Sequence, residues 1–493
     1  MPALSVAGVR LVAMSSLRLL PLLTCLLLLA GNPAQARDTA LPPSVIKALA
    51  RAKVPADAFG VVVEEAGGNN TPLLSHRAGT PMNPASVMKL VTTLAALETL
   101  GPTWTWNTPV YMEGTAREGT LYGNLYIKGQ GDPKLVVERL WLLLRRVQGL
   151  DIRNIAGDIV LDRSAFEAVA HDPAEFDGEP LRPYNAAPDA LLLNFKSVLL
   201  TFVPERGANA AHVHVEPPLA GVTWPSHVPL RETDCNDYRS TLRADFSDPA
   251  LPRFAGRYPA ACNEKVWPLA YADPASYGVR AIEGMWRAIG GQLQGKVRYG
   301  AVPEGLAPAF ALESPPLAEV VRDINKYSNN VMTQQLFLTL SLQQQGRGTL
   351  MGSRELLREW WRQRFGSEEV PQIANGSGLS REDRMTAGAL ARLLQYAWAS
   401  PLMPELMSSL PISGQDGTLR PSRWRARGNA HLKTGSLRDV ASVAGIVHAD
   451  GGRRYVLVAM VNHPNAGATR PAMEALVEWV AQQPAPGRKK KPD

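Results

Sequence analysis

A nearly unbroken apolar pattern runs through the segment that follows residue 83. Residues 84–89 are Pro-Ala-Ser-Val-Met-Lys, and apolar side chains then occupy almost every face of a helix up to Leu100. Proline near the start and Gly101-Pro102 at the end are ordinary helix boundaries. The pattern therefore predicts a buried helix with Ser86 and Lys89 on one face of its first turn.

Short strands and helices occur toward both ends of the chain. The strands are predicted at 59–65, 73–76, 441–448 and 455–462, and the helices at 317–324, 331–340, 352–365, 386–398 and 471–481. The C-terminal strands form a meander that can pair with the N-terminal strands in one sheet. We therefore predict an α+β domain in which helices cover an antiparallel sheet.

Residues 103–305 have a different character. Residues 103–162 contain short β-like runs separated by glycine, and one helix. Residues 163–270 are rich in proline and loops, and residues 271–305 add a helix at 279–289 and a short strand. This change of pattern indicates smaller β-rich units between the two halves of the α+β domain.

The composition is that of a globular protein with several domains, since 45% of the 493 residues are hydrophobic and 20% are charged. The formal net charge of +7 is modest, and residues 488–491 carry a run of positive charge. We predict that residues 485–493 form a disordered basic tail. Its charge suits weak contact with anionic envelope polymers or lipid headgroups, although we favour a solvated tail. We expect no nucleic-acid partner.

The first 36 residues have the pattern of an export signal. Arg10 and Arg18 supply positive charge, residues 19–30 form an apolar core, and Ala34-Gln35-Ala36 is a small-x-small cleavage site. No later stretch reaches the roughly 18 apolar residues that a membrane-spanning helix needs. We expect cleavage after Ala36 and a soluble periplasmic or secreted protein.

Two cysteines and two histidines are candidates for a disulfide or a metal site. Cys235 and Cys262 are an even pair in an oxidising compartment, which favours a disulfide over metal binding by two isolated thiolates. His212 and His214 alternate as strand residues do, and no third ligand lies nearby in the sequence. We therefore interpret the histidines as part of a half-buried strand and predict no metal site.

The Ser86–Lys89 pair has the composition of a nucleophile and its base. A serine hydroxyl is a weak nucleophile until a base takes its proton. A lysine can serve as that base only when it is neutral, and burial or a nearby cation lowers its pKa toward neutrality. Because a serine and a lysine at this spacing occur by chance in many proteins, the pair alone is weak evidence.

Two further motifs strengthen the catalytic interpretation. Ser328-x-Asn330 and Lys433-Thr434-Gly435 follow Ser86-x-x-Lys89 in the order found in penicillin-recognising acyl-transferases. We predict that Ser328 relays a proton to the leaving amine and that Asn330 holds a substrate amide. Ser86, Lys89, Ser328 and Asn330 are the predicted catalytic set.

The third motif supplies the predicted substrate-binding residues. Lys433 places a positive charge beside the site, which suits a substrate ending in a carboxylate and disfavours protonation of the catalytic lysine. Thr434 can hydrogen-bond the same carboxylate, and Gly435 lets the strand edge approach the substrate backbone. The backbone amides of Ser86 and Ser436 are the predicted oxyanion hole.

With these motifs the sequence resembles the class C low-molecular-mass penicillin-binding proteins, which are D-alanyl-D-alanine carboxypeptidases and endopeptidases. Residues 129–133, 376–380 and 414–418 also look like segments of that family, whereas Asn375 stands where Asp is expected. The resemblance implies a penicillin-recognising serine transpeptidase-like fold with two inserted domains. The implied divisions are a signal peptide 1–36, a catalytic domain of 37–102 and 306–484, a first inserted domain of 103–162 and 271–305, a second inserted domain of 163–270, and the tail 485–493.

The resemblance also implies the reaction. Ser86 would attack the penultimate D-Ala carbonyl of a peptidoglycan stem peptide, expel the terminal residue and form an acyl-enzyme that water hydrolyses. Peptidoglycan crosslinks would be cleaved at the same site, and β-lactams would acylate Ser86 and leave slowly. No metal or organic cofactor is implied.

Two other functions stay open on the sequence. A β-lactamase would use the same chemistry with faster deacylation, although the long insertion argues against it. A non-catalytic envelope protein would bind peptidoglycan through the inserted domains, although three intact motifs argue against that function.

Overall fold

The computed structural model of the chain describes residues 38–69, 71–169, 171–420 and 426–485. The predicted export signal and the positive charges at 488–491 lie outside these described residues. No helix in the described part of the chain is long and apolar enough to cross a membrane.

Helices and strands follow one another in runs along the described ranges, with the longest run of helices from α6 to α10. The helices are α1 (Pro43–Arg51), α2 (Lys89–Leu100), α3 (Val137–Gly149), α4 (Tyr238–Leu242), α5 (Tyr277–Ala288), α6 (Leu317–Tyr327), α7 (Asn330–Gln345), α8 (Leu350–Phe365), α9 (Ala387–Ala399), α10 (Met403–Ser409) and α11 (Arg470–Ala481). The strands are β1 (Phe59–Glu65), β2 (Pro72–His76), β3 (Asn107–Met112), β4 (Thr115–Arg117), β5 (Thr120–Tyr122), β6 (Leu125–Lys128), β7 (Asn154–Ile155), β8 (Ile159–Asp162), β9 (Ser197–Glu205), β10 (Ala210–Glu216), β11 (His227–Arg231), β12 (Ala244–Asp245), β13 (Arg253–Phe254), β14 (Tyr258–Pro259), β15 (Lys265–Ala270), β16 (Gln292–Leu293), β17 (Val297–Tyr299), β18 (Pro308–Glu313), β19 (Ala430–Leu437), β20 (Val440–His448) and β21 (Arg454–Asn462).

A five-stranded antiparallel sheet joins the two ends of the chain. Its strand order is β19-β20-β21-β1-β2. Lys433 of β19 lies opposite Ala444 of β20, and Val61 of β1 lies opposite Ala459 of β21. The C-terminal meander therefore pairs with the N-terminal strands, and the predicted α+β class is confirmed.

Both faces of this sheet are buried, which explains the continuous apolar runs of its central strands. In β21, Val456 and Val458 join the hydrophobic cluster that contains α2, α7 and α9. The alternate residues Leu457 and Ala459 join the cluster that contains α1 and α11. Because side chains alternate between the two faces of a strand, a strand that is covered on both sides has no polar alternation.

Helix α2 is buried over most of its length, as predicted. Lys89 is completely buried, and no residue from Leu90 to Leu97 is more than 1% exposed. The first turn differs from the prediction, because Ala85–Met88 form a 3₁₀ turn and the α-helix begins only at Lys89. Ala85 has a φ of 47°, so the chain enters this turn through a left-handed residue.

Among the described residues, four further sheets lie between residues 107 and 313, which we call the inserted part. Their strand orders are β17-β8-β6-β3-β18, β16-β7-β5-β4, β14-β11-β10-β9-β15 and β12-β13. Strand β18 pairs with β3, so the first inserted unit extends past residue 305, where the composition placed its end. Ala165, Phe166 and Ala190, expected in the second inserted domain, pack instead in the cluster that contains α2. Most buried apolar residues of the inserted sheets belong to one shared cluster.

Cys235 and Cys262 are joined by a disulfide that closes a loop of 27 residues in the inserted part. Cys235 precedes α4, and Cys262 follows β14. Cys262 is buried in the hydrophobic cluster of the inserted sheets. The disulfide therefore ties the end of one loop to the core of this part.

His212 and His214 lie in β10, with the buried Val213 between them. The ring centroid of His212 is 4.4 Å from that of His227, and its Nε2 is 2.5 Å from Glu205 Oε2. Neighbouring strands thus bring together partners that lie apart in the sequence. In the described ranges, however, no group of three or more His, Cys, Asp or Glu side chains is arranged to hold a metal ion.

Removing the disulfide should destabilise the inserted part of the chain. We expect Cys235→Ala/Cys262→Ala to lower its free energy of unfolding by about 3 kcal/mol, because the unfolded chain gains the freedom of an open loop. Thermal unfolding of the variant measures the change, and wild-type protein kept in a reducing agent should reproduce it. An unchanged transition in both samples would contradict this expectation.

Candidate active site

Ser86 and Lys89 lie on the turn that leads into α2. Lys89 is completely buried, and its Nζ is 3.1 Å from Ser86 Oγ in a hydrogen bond. Ser86 is half-buried and lines a large cavity. The predicted nucleophile is therefore accessible to a ligand, while the predicted base is shielded from water.

Two other acceptors surround Lys89 Nζ. It donates to Asn330 Oδ1 at 2.6 Å and to the backbone carbonyl of Ser377. An ammonium has three donors, whereas a neutral amine has two N–H donors and one lone pair. When the amine is neutral, its two N–H groups can satisfy Asn330 and Ser377, and the lone pair is left for the Ser86 hydroxyl. The geometry thus allows Lys89 to accept the proton of Ser86.

The surroundings of Lys89 favour its neutral form. Burial lowers the pKa of Lys89 well below its ordinary value, and the nearby Lys433 lowers this pKa further, whereas the carboxylate of Asp383 raises it. Burial also lowers the pKa of Lys433, to about 7. A neutral Lys89 is therefore accessible near neutral pH.

The second and third motifs meet at Ser328. This serine lies between α6 and α7 with a φ of 56°, a left-handed conformation that ends α6. Lys433 of β19 is completely buried and donates from Nζ to Ser328 Oγ at 2.9 Å and to Thr434 O at 2.7 Å. Ser328 lines the same cavity as Ser86. Segments far apart in the sequence thus place two hydroxyls and two lysines around one site.

Asn330 is the first residue of α7 and contacts the base directly. Because its side-chain oxygen accepts from Lys89, only its Nδ2 is left for the predicted contact with a substrate amide. Nδ2 lies 3.5 Å from Tyr184 O, at the limit of a hydrogen bond. The sequence interpretation missed that Asn330 orients Lys89, because the spacing of two motifs does not give the distance between them.

Strand β19 is an edge strand of its sheet, beside the Ser86 turn. A Cβ on Gly435 would lie 2.6 Å from a carbonyl oxygen of this turn and 3.0 Å from the Ser86 amide nitrogen, so the close approach requires glycine. The next residue, Ser436, is exposed and lines the cavity. Thr434 Oγ1 is 2.7 Å from Thr418 Oγ1. The residues predicted to bind substrate therefore lie along one strand edge that meets the nucleophile.

The loop 375–380 also packs against the Ser86 turn. Gly378 has a φ of 78°, and a Cβ there would lie 2.0 Å from a carbonyl oxygen of the turn and 2.9 Å from Ser86 Cα. Asn375 Oδ1 accepts from Ser377 N at 3.0 Å and from Ser377 Oγ at 2.8 Å. Asn375, where Asp was expected, therefore keeps the loop folded, and the loop presents the Ser377 carbonyl to Lys89.

A cavity of about 1510 Å³ joins this site to the inserted part. Its lining includes Ser86, Ser328, Asn330 and Ser436, together with Phe176, Tyr184, Arg239 and Trp267 from the inserted part. Pockets for drug-sized ligands have volumes of about 300–1,000 Å³. The cavity therefore has room for more than one short peptide.

Gly378→Ala should disable the site while leaving the protein folded. The new Cβ forces the loop away from the Ser86 turn, and a displacement of about 1 Å at reacting groups costs roughly 100-fold in rate. We expect acylation of Ser86 by penicillin to slow by about this factor, measured by stopped-flow or quenched mass spectrometry. Gly149→Ala is the matched control, since a Cβ there meets nothing within 4 Å. Equal rates in the two variants would contradict the role of the loop.

Comparisons with known proteins find relatives that match most of the chain. The D-alanyl-D-alanine carboxypeptidase of Actinomadura sp. (strain R39) is 28% identical over 449 residues, which is 85% of this chain and 80% of the relative. The D-alanyl-D-alanine carboxypeptidase DacB of Haemophilus influenzae is 25% identical over 421 residues, which is 81% of this chain and 84% of the relative.

The fold is also similar to solved structures. The crystal structure of penicillin binding protein 4 (dacB) from Haemophilus influenzae matches with a TM-score of 0.72 at 22% identity, covering 89% of this chain and 99% of that one. The model of the D-Ala-D-Ala carboxypeptidase 3 (S13) family matches residues 43–483, which include all three motifs. Because this match spans most of the sequence, the chain belongs to the D-Ala-D-Ala carboxypeptidase 3 (S13) family.

Proposed function

We propose that this chain is a serine D-Ala-D-Ala carboxypeptidase that forms its acyl-enzyme on Ser86. The observation that carries the proposal is the 3.1 Å hydrogen bond between Lys89 Nζ and Ser86 Oγ, made by a buried amine whose pKa is lowered. A neutral amine in this position can take the hydroxyl proton as the oxygen attacks a carbonyl carbon. Membership of the S13 family supports the same reaction.

In the proposed acylation, Lys89 accepts the proton of Ser86 while Oγ attacks the carbonyl of the penultimate D-Ala. The backbone amides of Ser86 and Ser436 donate to the oxyanion that forms. When the tetrahedral intermediate collapses, the C–N bond breaks. The leaving amine then receives the proton of the Lys89 ammonium through the Ser328 hydroxyl.

The proposed deacylation repeats this chemistry with water. After the terminal D-Ala departs, neutral Lys89 removes a proton from a water molecule that attacks the ester carbonyl. The second oxyanion uses the same two amides, and Ser86 regains its proton as the ester bond breaks. The product is a stem peptide that is one residue shorter.

Lys433 and Thr434 are the proposed recognition sites for the terminal carboxylate of the substrate. The Lys433 side chain is buried, and its partners among the described residues are Ser328 Oγ and Thr434 O, neither of which is a carboxylate. The carboxylate of a substrate would therefore supply the missing countercharge. The contact of Lys433 with Ser328 Oγ at 2.9 Å ties carboxylate recognition to the proton relay. This arrangement favours peptides with a free C-terminus.

The same site supports two further proposals. Crosslinked peptidoglycan peptides carry a second chain beyond the scissile bond, and the cavity that extends toward Trp267 has room for it. We therefore propose D,D-endopeptidase activity in addition to carboxypeptidase activity. β-Lactams present an amide carbonyl to the same nucleophile as the uncleaved peptide does, and they would bind covalently to Ser86. The export pattern of residues 1–36 and the disulfide support a periplasmic location.

Ser86→Ala should abolish both peptide hydrolysis and covalent penicillin binding. We expect intact mass spectrometry of the wild-type protein to show a stable adduct of one penicillin per chain, and the variant to show none. Loss of penicillin without a lasting adduct would indicate a β-lactamase. Neither adduct nor turnover in the wild type would favour a non-catalytic envelope protein that binds peptidoglycan.

The affinity for carboxylate-terminated peptides should decrease as pH rises through the pKa of Lys433, about 7 in the free protein. Loss of the ammonium removes a charge-assisted hydrogen bond, and Lys433→Met should raise KM about 30-fold at pH 6. The KM of Lys433→Met should then vary little with pH. A C-terminally amidated peptide is the control substrate, and a wild-type KM that stays constant from pH 6 to 9 would contradict this assignment.

A further inference from the structure

Asp383 is a buried carboxylate that the proposed reaction does not use. Its exposed fraction is 0%. Its Oδ1 accepts a hydrogen bond from Ala374 N at 2.7 Å, whereas its Oδ2 is buried with no partner among the described residues. A buried carboxylate oxygen without a hydrogen-bond partner lowers the stability of the folded protein. Its presence at this position therefore requires an explanation, and a functional role would provide one.

Contacts connect Asp383 to the catalytic lysine through the loop 375–380. Asp383 holds Ala374, the residue just before this loop. Within the loop, the carbonyl of Gly376 accepts from Thr92 Oγ1 of α2 at 2.7 Å, and the carbonyl of Ser377 accepts from Lys89 Nζ. A change at Asp383 is therefore transmitted to the groups that orient Lys89.

The charge of Asp383 provides a second connection between this residue and Lys89. Lys89, Lys433 and Asp383 are all completely buried, so two potential cations and one potential anion share a region of low dielectric. Lys89 faces Lys433 and Asp383, and Asp383 in turn faces Lys89, Arg354 and Arg384. Burial raises the pKa of Asp383 to about 6. Above that pH its negative charge offsets part of the effect of burial on Lys89.

We propose that Asp383 is a positioning residue for the acylation of Ser86, because its carboxylate anchors the loop that orients Lys89 and supplies a countercharge to Lys89. This inference rests on the proposed function, in which Lys89 is the base. Asp383 keeps the amine basic enough to take a proton and keeps its two N–H donors directed at fixed acceptors. Asn375 leaves the other end of the loop uncharged, so Asp383 is the one carboxylate in the segment 374–383 that faces Lys89.

The test is the pH dependence of penicillin acylation in wild type and Asp383→Asn. Asparagine keeps an oxygen that can accept from Ala374 N but removes the charge. Loss of a nearby opposite charge lowers the pKa of a buried amine, so we expect the acid limb of the acylation rate to move about one pH unit lower. A purely structural role for Asp383 would change the rate without moving this limb.

A second variant keeps the test independent of the folding of Asp383→Asn. Asn375→Asp adds a carboxylate to the same loop, and we expect it to move the acid limb to higher pH. In Asn375→Asp/Asp383→Asn the charge is relocated, and the limb should return toward that of the wild type. Limbs that coincide in wild type, Asp383→Asn and Asn375→Asp would overturn the inference.

The outcome also separates this inference from the proposed function. If the wild-type protein is not acylated at any pH, the proposed function fails, and the role assigned to Asp383 fails with it. If the wild type is acylated and the acid limb does not respond to either carboxylate, only the role of Asp383 is overturned. Asp383→Ala, which removes both the acceptor and the charge, should lower the plateau rate as well as move the limb.

Discussion

The burial of one amine is the constraint on which the rest of this structure depends. A lysine can deprotonate a serine near neutral pH only if its ammonium form is much less stable than it is in water. Lys89 meets this condition because α2 is covered on all sides and Lys433 lies nearby. Its three hydrogen-bonding partners come from the Ser86 turn, α7 and the loop 375–380.

The sheet and its helices make that burial compatible with access for a substrate. Because both faces of the sheet are covered, the helix that carries the base can be enclosed, while the edge strand β19 stays open beside the nucleophile. Two glycines, Gly378 and Gly435, let the loop and the strand edge approach the Ser86 turn closely. The inserted part then extends the open side into a cavity much larger than the reacting groups need.

Local patterns in the sequence were sufficient to predict the main helices and strands of the α+β domain. They could not predict which residues from distant parts of the sequence lie close together in the fold. The buried α2 and the antiparallel sheet followed from hydrophobic periodicity and from the order of the strands. The same patterns missed β18, a short strand that belongs to the first inserted sheet, because a six-residue strand carries no signal of its partner. They also missed the contact between Asn330 and Lys89 and the role of Asp383, because both depend on residues that are distant in sequence.

The central claim is that Lys89 is neutral when the protein is active, and its titration tests this claim most directly. Lysine labelled with ¹³C at Cε gives an NMR signal whose shift follows protonation, and Lys89→Met and Lys433→Met assign the two buried residues. We predict two lysine signals that titrate far below 10.5, one of which disappears in Lys89→Met. If every lysine signal of the folded wild-type protein titrates near 10.5, Lys89 is an ordinary ammonium and this account of the site is wrong.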